Sequence, residues 1–352
     1  MHMADALISP VVGGTMLFLS AGIGIYSVKK VEKDIEDNKI PLMGVMGAFV
    51  FAAQMINFSI PGTGSSGHIG GGLLLAILLG PYAGFLTMAA VLLIQAFFFA
   101  DGGLLAYGAN VFNLGFYTCF ITYQLIFKKV TLKGFSRKTI YIACILSAAI
   151  GLQMGSLSVV LETVLSGKAE LPFKSFLILM QPIHLAIGIT EGFITAAVVS
   201  FVWNTRPELI ERTTKGLSLG NISIKKVLVT LSLATLIIIG GLSWFASSNP
   251  DGLEWSIEKI TGSDELETEG VVYSTMGKIQ SFTSIFPDYS FKSEKKETEE
   301  ELKDMIREEK LESNSETVLV AVIGGGITLF IALMTGFSIN IYKRKKNKKQ
   351  DI

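Results

Sequence analysis

The 352-residue chain carries only two cysteines and three histidines, and charged residues make up just 17% of it. Cys119 and Cys144 each fall inside an apolar stretch, where cysteine serves as a small packing residue, so no chemistry is assigned to them. A P-loop is absent: Gly167-Lys168 lacks both the earlier glycine and the following hydroxyl that phosphate binding needs. The chain has no nucleotide motor of its own, so if it pumps, a partner supplies the energy. No Ser/His/Asp or Cys/His arrangement suggests a hydrolase, and no stretch alternates like a barrel strand. The first apolar stretch has no basic region ahead of it and begins with Asp5, which argues against a secretory signal.

What is present is apolar length. Half the residues are hydrophobic and the mean hydropathy is +0.51. Several uncharged stretches reach the roughly 20 residues that cross about 30 Å of hydrocarbon as a helix. The expected fold is therefore all-α, a polytopic helical membrane protein. Nine spans are read, near 10–28, 42–58, 69–80, 83–100, 104–127, 139–165, 175–203, 227–247 and 317–341. The third is short and ends at Gly80-Pro81 as a tight turn. Lysine and arginine gather in the connections around Lys29–Lys39, Lys128–Lys138 and Arg206–Lys226, and in the tail from Lys343. Nine spans with an external N-terminus put all four on the cytoplasmic side, the C-terminus included. The polar connection 205–226 divides a seven-span body, 1–204, from a two-span appendix, 227–352. Between the last two spans, about 248–315, runs an external acidic segment. Within it, 293–313 reads equally well as a charged helix or a solvated linker.

The histidines carry the chemistry. A free N-terminus followed at once by His2 is a chelate: the Met1 amine, the His2 backbone nitrogen and a His2 ring nitrogen fill three corners of a square. Another imidazole completes it, and such planar all-nitrogen coordination points to Ni(II), Cu(II) or Co(II). A large second residue such as His2 is expected to keep Met1 in place. His68 lies in the glycine-rich run from Pro61 to Gly72, on the same outer face. It reads either as the fourth ligand or as a surface histidine in a turn. His184 and Glu191, two helical turns apart, face one side of the seventh span, as a functional pair or as a helix-to-helix hydrogen bond. Asn57 is the leading candidate to orient a metal-bound imidazole.

Met1-His2-Met3-Ala4-Asp5-Ala6-Leu7 with Ser9-Pro10 resembles the start of the CbiM/NikM proteins, the metal-capture components of energy-coupling-factor transporters for cobalt and nickel. The resemblance continues through Asn57-Phe58, Ser66-Gly67-His68, Leu78-Leu79-Gly80-Pro81, Asp101 to Ala106, Gly108-Ala109-Asn110, and His184 with Gly188 and Glu191. It covers most of 1–204. Asn249-Pro250-Asp251-Gly252-Leu253-Glu254 resembles the small companion component of such transporters, fused here. The resemblance implies a seven-helix capture body that is not an enzyme. It implies one Ni(II) or Co(II) as transported substrate, bound by the Met1 amine, the His2 amide and ring, and His68. Asn57, Ser66 and His184 are expected around that set. Implied partners are a transmembrane coupling protein and two cytoplasmic ATPases, in a prokaryotic plasma membrane. The rival readings are a secondary metal transporter and an intramembrane enzyme using His184 and Glu191.

Overall fold

The computed structural model of the chain describes residues 2–34, 39–168, 171–220, 222–263, 266, 268–290 and 302–350. A single 3-10 turn, Asp5–Leu7, leads into α1 (Pro10–Asp34), whose first residue is a proline with φ already set for a helix. After α2 (Lys39–Gln54) comes a small antiparallel hairpin, β1 (Phe58–Ile60) with β2 (Ser65–Gly67), Phe58 facing Gly67. Then follow α3 (Gly72–Leu79), α4 (Pro81–Phe98) and α5 (Tyr107–Val111), which runs on through a π-helical stretch, Phe112–Phe127, into α6 (Lys128–Thr131). The long pair α7 (Arg137–Ser166) and α8 (Phe173–Thr205) and the short α9 (Pro207–Lys215) complete the body. The appendix holds α10 (Lys225–Gly240), α11 (Gly252–Thr261), α12 (Val271–Thr283) and α13 (Leu302–Gln350).

Five described helices are long and apolar enough to cross a membrane: Pro10–Lys33, Pro81–Phe98, Arg137–Ser166, Phe173–Thr205 and Val318–Lys343. Lys39–Gln54 is apolar but shorter. The expected third span is corrected. Its eight helical residues rise about 12 Å, well short of the hydrocarbon thickness, and all of them are buried. It is an interior helix enclosed by protein, entered through non-helical backbone that only such enclosure permits. Its far end still reaches the cationic side, because Gly80 and Pro81 line one cleft with Lys30, Lys33, Lys39 and Lys128. The segment expected outside carries α11 and α12, and of the stretch 293–313 the described part, from Leu302, is helical as the start of α13. Residues 291–301 of the acidic stretch lie outside the described residues, and α13 begins at Leu302.

Packing follows small residues. A Cβ on Gly188 of α8 would sit 2.7 Å from the Ala149 Cα of α7, so the two longest body helices touch backbone to backbone. On the other side of the body, Gly44 of α2 meets Leu333 of α13, and Gly336 of α13 meets Ile40. Val11, Phe18 and Ile25 of α1 stay exposed, a stripe suited to lipid rather than water.

Candidate metal centre

The amino-terminal residues thread into the loop between α4 and α5. Asn110 reads the Met3 backbone from both sides: the Met3 N–H donates to Oδ1 at 2.7 Å, and Nδ2 donates to the Met3 carbonyl at 3.1 Å. The Gly103 N–H donates to that same carbonyl at 2.9 Å. Asp5 Oδ1 accepts the Ala106 N–H at 3.0 Å. Burial raises the Asp5 carboxyl above its ordinary value, against the lowering effect of the N–H groups it accepts. Glycine is needed where these backbones cross. A Cβ on Gly103 would collide with the Asp5 carboxylate, and one on Gly102, at φ +82, would lie 2.9 Å from the Asn110 amide.

Threading presents His2. Its side chain is buried, with Nδ1 2.7 Å from Asp101 Oδ1. A carboxylate accepts, so Nδ1 carries a proton, and Nε2 is buried without a hydrogen-bond partner. The other carboxylate oxygen, Asp101 Oδ2, accepts the Tyr289 hydroxyl at 2.5 Å. Burial works against the Asp101 charge, but His2 and the Tyr289 hydroxyl outweigh it and hold the carboxyl well below the usual range.

His68 follows β2 directly. Its Nδ1–H donates to the Ile69 carbonyl at 3.0 Å, which in the neutral ring places the lone pair on Nε2. Burial, with a contribution from His2, pushes its pKa down to about 3, so the ring is neutral, the form that binds a metal. The His2 and His68 ring centres are 4.9 Å apart with planes 20° from parallel. With metal–nitrogen bonds of about 2 Å, two imidazoles at neighbouring corners of a square have centres about this far apart. Met1 lies outside the described residues. Among the described residues, no three histidine, cysteine, aspartate or glutamate side chains form a cage of their own.

Two elements hold the His68 loop. From inside the bundle, Glu191 of α8 accepts the Gly70 N–H at 2.8 Å on one oxygen and the Gly71 N–H at 2.9 Å on the other. From the appendix, Pro250 and Asn249 offer carbonyls to Ser66, which donates its N–H at 2.8 Å and its hydroxyl at 2.7 Å. Asp251 then caps α11, accepting the Leu253 and Glu254 N–H groups, while Glu254 accepts the Asp251 N–H at 2.9 Å. Gly252 lets this turn seat on α8, for a Cβ there would lie 3.2 Å from the His184 ring.

Residues 2–209 match the model of the CbiM family, the cobalt uptake substrate-specific transmembrane region, and residues 225–341 match the PDGLE domain. The chain belongs to the CbiM family. A protein of Archaeoglobus fulgidus, provisionally assigned as a fused nickel transport protein NikMN, is 37% identical over 212 residues, 60% of this chain and 68% of its own length. A cobalt transport protein CbiM of Clostridium tetani is 28% identical over 219 residues, 60% of this chain and 88% of its own. The crystal structure of a transition metal transporter superposes with a TM-score of 0.52 at 29% identity, covering 58% of this chain and 93% of that one.

Within this CbiM region, His2 and His68 meet, and Ser66 supplies the bridge to the PDGLE region. Asn57 gives its backbone carbonyl to the Ser247 N–H at 2.7 Å, while its side-chain oxygen is buried without a partner. His184 donates from Nδ1 to the Met180 carbonyl at 2.8 Å and its Nε2 has no partner, so neither ring nitrogen touches a site histidine. Sequence reasoning missed three roles. Asp101 stood in the matching Asp-Gly-Gly run, but nothing in that run says which histidine it orients. Glu191 faces the predicted side of its helix, yet its partners are backbone groups that no residue type announces. Tyr289 is 188 residues from Asp101, and no motif marks it.

Proposed function

We propose that this chain is the capture component of a nickel or cobalt importer, taking one divalent ion at the outer face. The ligands are the Met1 amine, the His2 amide, the His2 ring and the His68 ring. The pairing of two buried imidazoles with ring centres 4.9 Å apart carries the reading. The chelate ring that joins the His2 amide to its own imidazole closes through Nδ1. Loading therefore takes Nδ1 from Asp101 to the ion, the ring proton moves to Nε2, and the ring has to swing before that N–H can face the carboxylate, as carboxylates do for metal-bound histidines. Four nitrogens in a plane select by geometry, since raw affinity alone favours copper.

The division into a capture body at 1–204, a cytoplasmic connection at 205–226 and a companion at 227–352 belongs to the same reading. So does an external N-terminus with a cytoplasmic C-terminus. The two family matches and the lysine-lined cleft at one end of the bundle support both. Import is ATP-driven through a transmembrane coupling protein and two cytoplasmic ATPases. The companion helps load the site, and its seat on the His68 loop through Ser66 supports that role. The intramembrane-enzyme reading loses its base, because both Glu191 oxygens already hold backbone N–H groups.

The test is metal content. Protein purified from cells grown with both metals is expected to hold one equivalent of nickel or cobalt. His68→Ala, and a chain extended by one alanine ahead of Met1, are expected to hold none. Full metal content in either variant overturns the ligand set. Uptake that continues without the ATPases overturns the energy source.

A further inference from the structure

The two histidine-bearing segments are joined by a line of hydrogen bonds that passes through the appendix. Gln54 Nε2 donates to the Gly70 carbonyl at 2.7 Å, two residues beyond His68. Gln95 Nε2 donates to Gln54 Oε1 at 3.0 Å and reaches the Tyr289 hydroxyl oxygen at 3.3 Å. Tyr289 donates to Asp101 Oδ2 at 2.5 Å, and Asp101 Oδ1 accepts from His2 at 2.7 Å. Five of these residues, His2, Gln54, Gly70, Gln95 and Asp101, lie in the CbiM region. Tyr289 alone comes from the external segment after α12.

The backbone around this line is unusual. Among the described residues, only two non-glycine residues have positive φ: Ala100 at 55°, immediately before Asp101, and Tyr289 itself at 58°. Left-handed backbone is unfavourable for both residue types and persists only where surrounding contacts impose it. Here the contacts are plain. The Tyr289 ring stacks on Phe99 with centres 4.9 Å apart, and the Ile285 and Phe286 N–H groups both donate to the Phe98 carbonyl, at 3.1 and 3.0 Å. The strained turns thus aim a carboxylate and a hydroxyl at one another.

We propose that Tyr289 is a positioning residue for metal capture: it fixes Asp101, and through Asp101 the His2 ring, relative to the His68 loop. The external segment thereby sets the geometry of a site whose ligands all lie elsewhere. This rests on the reading that His2 and His68 share the ion.

The experiment uses the full chain in detergent, titrated with nickel and followed by calorimetry and by the ligand-field absorption of the bound ion. Tyr289→Phe keeps the ring on Phe99 and removes only the hydroxyl. It is expected to weaken nickel binding about tenfold and shift the absorption band, while Asp101→Asn costs about 10- to 100-fold. The double variant is expected to bind no worse than Asp101→Asn alone, since both act through one contact. Parental affinity and spectrum in Tyr289→Phe overturn the proposal, as do losses that multiply in the double variant. His68→Ala separates the two readings. Nickel binding that survives it sinks the site itself, whereas its loss beside a parental Tyr289→Phe sinks only the role of Tyr289.

Discussion

His2 and His68 are held by two carboxylates in different ways. Asp101 touches the His2 ring itself, from a loop, and shares its second oxygen with the appendix. Glu191 never touches His68; it grips the two backbone N–H groups that follow, from a helix buried in the bundle. The His68 side is therefore anchored by the scaffold, and the His2 side is held jointly with the appendix. A capture site has to be shaped before the ion arrives yet still admit it. On the proposed reading, the scaffold supplies one side of the site and a threaded N-terminal arm the other.

The largest effect is expected from breaking the fixed side. Glu191→Ala leaves two buried N–H groups unpaired, at a cost of about 2–6 kcal/mol, and should abolish stoichiometric nickel while lowering the thermal midpoint. If metal binding persists with only stability reduced, the loop does not depend on this anchor. Acidity should separate the two sides next. Capture on the N-terminal arm, as proposed, expels protons from the amine and the amide, so affinity is expected to fall ten- to a hundredfold per pH unit below about pH 7.7. His68, neutral down to about pH 3, adds nothing to that slope. A proton release that His68→Ala changes by about one per nickel near pH 7 would show that the fixed side titrates as well. The smallest effect is expected from loosening the arm: Asn110→Ala removes both side-chain bonds to Met3, leaves one buried N–H unpaired at a cost of about 1–3 kcal/mol, and should weaken nickel about tenfold. Parental nickel affinity in this variant would mean that the arm does not depend on Asn110.

Much of this was legible in the residues. The apolar runs announced a helical membrane bundle, and the dipeptide Met1-His2 with a loop histidine suggested the chelate proposed above. Three things were not legible. The span expected at 69–80 looked like the others because its residues are just as apolar; only its burial on every side shows that it faces protein. Asp101 and Tyr289 sit in unremarkable loop positions, and Asn57, chosen for its place near the loop, turned out to serve Ser247 through its backbone. Partners that meet across 188 residues, or through main-chain groups, leave no spacing to read.

By itself, the sequence determined what each segment had to do in lipid, because a backbone without water must close its own hydrogen bonds and lysines collect on one side. It also determined which nitrogens are available to a metal, since that depends on residue type and position alone. Only the tertiary structure decided that His2 reaches His68, that one carboxylate aims a ring while another anchors a loop, and that the appendix enters the site. Those facts rest on distances of a few ångströms between segments far apart in the chain, which only the packing of the helices sets.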